Sequence, residues 1–107
     1  MAEEAVPSDV RAQLDARIDA FGKRLGRGTP TDLLAELNAL RRLARIHHIA
    51  PVLAVIALLD AALSRGERGA LVLGGLGVLR DAVGSARVDD QAASIFAAAC
   101  SVRLTGG

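Results

Sequence analysis

The sequence predicts an all-α fold: a compact five-helix bundle with an N-terminal antiparallel helical hairpin and a central, apolar third helix. Three observations carry that prediction. Apolar residues recur at three- and four-residue steps along most of the chain, which is the period of one α-helical face. The pattern breaks at Gly26–Gly28, at Pro51 and at Ser64–Gly69, and glycine and proline are the residues that stop helices. The length of 107 residues, 51% of them apolar, suits one domain burying roughly two-thirds of its unfolded surface without a metal or a disulfide. The expected organisation is a flexible arm over 1–7, one helical domain over 8–104 and a frayed tail over 105–107.

The first helix is expected to open with Ser8 as N-cap and Asp9 in the following turn. Val10, Leu14, Ile18, Phe21 and Leu25 then form one apolar stripe, with Arg11, Asp15, Arg17, Asp19 and Lys23 elsewhere on the wheel. Gly26–Gly28 ends it. The second helix opens on Thr29, with Pro30 at the first helical position and Asp32 placed to complete a capping box. Leu33, Leu37, Leu40 and Ala44 form its stripe, flanked by Leu34 and Leu43. The short link between these helices makes them an antiparallel hairpin.

Proline disfavours helical geometry at the preceding residue, so Pro51 predicts a tight corner around Ile49 and Ala50 rather than one kinked helix. His47 and His48 would sit at that bend, able to bond freed carbonyls. The third helix, about Pro51 to Ser64, is apolar on every side apart from Asp60, the pattern of a helix buried all round. Arg65, Ser64 and Arg80 are the expected partners of Asp60, because an unpaired buried carboxylate is costly.

The fourth helix, about Glu67 to Val83, places Leu71, Val72, Val78, Leu79, Ala82 and Val83 on one face and Gly74, Gly77 and Asp81 on another. An interior glycine costs about 1 kcal/mol relative to alanine, so the glycines imply close approach of another backbone. The fifth helix is expected to start near Asp89 and to face inward with Ile95, Phe96, Ala99 and Val102, leaving Cys100 at the edge as a buried, inert thiol.

Composition narrows the function. Thirteen basic and twelve acidic side chains leave a net charge of +1, unlike the strong positive field of a nucleic-acid binder. Trp and Tyr are absent, so there is no aromatic platform for stacking bases. The single cysteine forms no internal bridge. The first ten residues are acidic and lack the apolar core of a secretory signal, and no stretch reaches the ~20 apolar residues of a membrane span. The expected location is cytoplasmic.

No catalytic, cofactor-binding or metal-binding residue is assigned. Adjacent histidines point about 100° apart on a helix, whereas a zinc pair stands at i and i+4. Gly74–Gly77 lacks the strand and lysine of a phosphate loop. Arg41, Arg42 and Arg45 share an outward face of the second helix, and Lys23, Arg24 and Arg27 form a second basic group; both read first as solvated, salt-bridged surface.

The last three helices are too apolar for the charged hairpin to cover, which points to a partner surface, simplest in a homodimer. The expected function is therefore a non-catalytic interaction or regulatory module, touching itself and another protein through Leu71, Gly74, Gly77, Val78, Ile95 and Phe96. Three alternatives remain, and a fourth, a membrane-inserting hairpin of the third and fourth helices, is limited by Asp60 and by segment length. The size and helix content are similar to those of histidine phosphotransfer domains, with His47 or His48 as the site, although the His-x-x-Lys-Gly motif is absent. A core left open by small side chains would carry an apolar ligand. A basic helix face would bind phosphate backbones weakly.

Overall fold

The computed structural model describes residues 7–67, 69–85 and 90–105. Residues 1–6 of the expected arm over 1–7, Asp89 as a cap and the last two glycines fall outside that set. The helices are α1 (Ser8–Arg24), α2 (Pro30–Ile46), α3 (Ala50–Ser64), α4 (Ala70–Gly84) and α5 (Asp90–Leu104). The fold is all-α, as the periodicity requires.

The start of α1 differs from expectation. Ser8 is the first helical residue, and extended Pro7 stands at the N-cap with no side-chain bond. Its carbonyl accepts from the Arg11 amide at 2.9 Å. At α2 the capping box forms in full: the Thr29 hydroxyl accepts from the Asp32 amide, and the Asp32 carboxylate accepts from the Thr29 amide, both at 3.1 Å.

Packing follows from the stripes. Val10, Leu14, Ile18 and Phe21 of α1 meet Leu33, Leu37, Leu40 and Ala44 of α2, all buried. The helices α1 to α4 close a ring, each packed on its chain neighbour and α4 packed back on α1. α5 lies outside the ring against α3 and α4, and among the described residues it packs on neither α1 nor α2. Thus α3 has α2, α4 and α5 around it, which accounts for its apolar circumference. Only its alanines Ala57 and Ala61, with Ser64 at its end, are exposed.

The corner after α2 is tight, as Pro51 predicts. The Ile49 amide reaches back to the Ala44 carbonyl at 3.0 Å and the His48 amide to that of Arg45 at 3.2 Å, the bond pair of a Schellman motif. His48 takes the left-handed position with φ 54°, and Ile49 and Ala44 are both buried beside it. Backbone amides satisfy the Leu43, Ala44 and Arg45 carbonyls near the end of α2, so the imidazoles are not needed for those, and both are exposed.

Asp60 is paired structurally, but with a different cation than expected. Its Oδ2 accepts from Nη2 of Arg41 at 2.8 Å, tying α3 to α2, while Arg65 turns instead to Glu67 at 3.1 Å. Arg80 reaches across to Asp19 of α1 at 2.6 Å. Arg24 joins Glu36 at 3.1 Å and so closes the α1–α2 hairpin.

Candidate functional site

The feature that separates this bundle from an ordinary one is the outward face of α5. Its inward positions are Ala92, Phe96, Cys100 and Leu104, four residues apart, with Phe96 half-buried and the others buried. The face anticipated from sequence is therefore largely turned the other way: Ile95 and Val102 are each 53% exposed, and Ala99 is exposed too. With Ser94, Ala98 and Ser101 they form a solvent-facing surface. No charged residue occurs between Gln91 and Val102.

Cys100, expected at an edge, lies at the centre of the α5 contact. Burial pushes its thiol pKa up by desolvation, so it is a poor nucleophile. Beside it is the glycine that the packing needs most, Gly75. A Cβ placed there would lie 2.8 Å from Leu59 Cδ2, 3.3 Å from Leu104 Cδ2 and 3.5 Å from the Cys100 sulfur. Three helices converge on that missing side chain. The close approach of another backbone expected from the glycine run is not what the structure shows: the tight contact is with side-chain atoms, and it lies at Gly75 and not at Gly77, where a Cβ would meet nothing within 4 Å. Gly74 is covered by the stem of Arg103, whose Cβ would be 3.3 Å away.

Of the other apolar positions singled out from sequence, Val78 is buried in the core and Leu71 is half-buried. Leu73, missed by the sequence analysis, is 52% exposed. It rims a groove between α1 and α4 with Gly22, Leu76 and Gly77, crossed by the Asp19–Arg80 ion pair.

The basic residues of α2 divide. Arg41 is committed to Asp60 and also bonds Asn38. Arg42 and Arg45 are exposed and make no ion pair among the described residues. The second group is held in part by acids, since Arg24 pairs with Glu36 and lies 4.0 Å from Asp32.

His47 and His48 stand in the turn after α2, not in mid-helix. Among the described residues no polar or charged residue is buried, and no three His, Cys, Asp or Glu residues are grouped to hold a metal. Nor is any described helix long and apolar enough to cross a membrane. Comparison with protein-family models, curated proteins and solved structures yields no match.

Proposed function

We propose that the chain is a small, non-catalytic interaction or regulatory module that pairs with a second copy of itself through the outward face of α5. One observation carries this reading: a helix face of exposed Ser94, Ile95, Ala98, Ala99 and Val102 with no charge along it. Solvated helix faces normally bear charged residues, as α1 and α2 do here, and a contiguous apolar patch marks a contact surface. A neutral surface selects no partner by charge, whereas a two-fold pairing brings the same face to itself. Ala98 near its middle lets two α5 axes come close, and Ile95 and Val102 then pack on either side.

Size sets the strength. A helix of 15 residues offers a strip about 22 Å long and about 10 Å wide. That is well below the roughly 800 Å² per partner of a standard interface, so the pairing is weak and depends on concentration. The test is sedimentation equilibrium over a wide concentration range, with Ile95→Asp and Ala98→Arg as variants. Both positions are exposed, so folding is retained. A rise in mass with concentration, abolished in the variants, is expected. A single chain at every concentration removes this reading.

A further inference from the structure

We propose that the C-terminal end of α2, with the facing turn of α1, docks on an anionic lipid bilayer surface. Ile46 is 62% exposed, the most exposed large apolar side chain among the described residues. It stands at the last position of α2, next to the corner that carries exposed His47 and His48. Arg42 precedes it by one helical turn and Arg45 by one residue.

Two shallow recesses flank the Arg42–Ile46 ridge. One is lined by Gln13, Arg17, Ala39, Arg42, Leu43 and Ile46, the other by Asn38, Arg41, Arg42, Arg45 and Ile46. No carboxylate lines either one. Arg17, Arg42 and Arg45 make no ion pair among the described residues, nor do Arg11, Lys23, Arg27 and Arg103; what sets the first three apart is that they line the recesses beside Ile46. In a chain of net charge +1, three uncommitted arginines around one bare isoleucine are a strong local polarisation.

The chemistry that satisfies both parts is a sheet of negative headgroups over hydrocarbon. Arginines lie at headgroup level with their stems along apolar surface, and the projecting aliphatic tip enters the acyl boundary. A nucleic acid would use the arginines and gain nothing from Ile46. α5 does not pack on α2, so this docking is independent of whether copies of the chain pair.

The experiment is co-sedimentation of the full chain with vesicles of phosphatidylcholine alone or mixed with phosphatidylserine, at low and high salt. Binding is expected only with phosphatidylserine and is expected to weaken with salt. Arg42→Ala and Arg45→Ala should each lower the partition about fivefold, and Ile46→Ser by a similar factor. Circular dichroism melts confirm that each variant folds. No binding to the anionic vesicles overturns the proposal. So does binding that Ile46→Ser leaves unchanged, or equal binding to duplex DNA with the same indifference to Ile46, since either describes a simple polyanion surface.

Discussion

His48 and Gly66 occupy the same position in two successive Schellman motifs. In the first, Ile49 and His48 amides return to Ala44 and Arg45; in the second, Glu67 and Gly66 amides return to Ala62 and Leu63 at 3.1 and 3.0 Å. The left-handed residue is Gly66 at φ 85° in one and His48 at φ 54° in the other. Glycine takes that conformation freely, and a side chain there costs about 1 kcal/mol or more.

His48→Gly is therefore expected to stabilise the chain by about 1 kcal/mol, raising Tm by about 5 °C. His48→Ala, which deletes the imidazole and keeps the strain, should give no such gain. Calorimetry on both variants checks this, and equal melting temperatures would contradict it.

The glycines of α4 should respond in opposite directions. Gly77→Ala meets open space and is expected to stabilise by about 0.5–1 kcal/mol through helix propensity. Gly75→Val must displace Leu59, Leu104 or Cys100 and is expected to cost about 2 kcal/mol by overpacking. Urea unfolding measures both, and a matching sign would refute the packing described around Gly75.

The Arg41–Asp60 pair ties α2 to α3 with side chains 23% and 39% exposed. Solvent screens such a pair, so the coupling from Arg41→Ala, Asp60→Ala and the double variant should be about 0.5–1 kcal/mol and should shrink with salt. A coupling near zero at low salt would show that the two side chains act independently.

Cys100 predicts an alkaline limit. Burial raises its folded pKa above the ordinary value of 9.0, so the unfolded chain loses the thiol proton first. The folded state then binds more protons, and stability falls as pH rises past about 9. The chain has no tyrosine and only Lys23 among lysines, so few other groups mask the effect. Cys100→Ala should flatten the decline in stability measured from pH 8 upward, by roughly the linkage of one proton; an unchanged slope would count against it.

How much of this was legible in the sequence varied with charge contrast. In α1 and α2, arginines and aspartates lie opposite the leucines, and the buried stripes Val10–Phe21 and Leu33–Ala44 can be read directly. The Thr29–Asp32 box is local and equally legible. In α5, alanine, serine and isoleucine surround the helix on all sides, so periodicity sets no phase; the inward row Ala92–Leu104 was decided by Gly75 and Leu59 on other helices. Asp60 announced that it needed a cation, but Arg41 became its partner only because α2 and α3 pack side by side. Gly75 and Gly77 look alike in sequence and differ only through what faces them. Ile46 ends an apolar-looking row; Pro51 announces the corner that follows, but not that the corner leaves Ile46 bare.

The position of α5 outside the α1–α4 ring has a consequence for synthesis. A ribosome makes the ring first, and the flank of α3 that α5 covers stays bare until Leu104 has left the exit tunnel. In that interval the nascent chain offers an apolar flank of α3 to its surroundings, and a stop codon anywhere within the last helix would make that interval permanent.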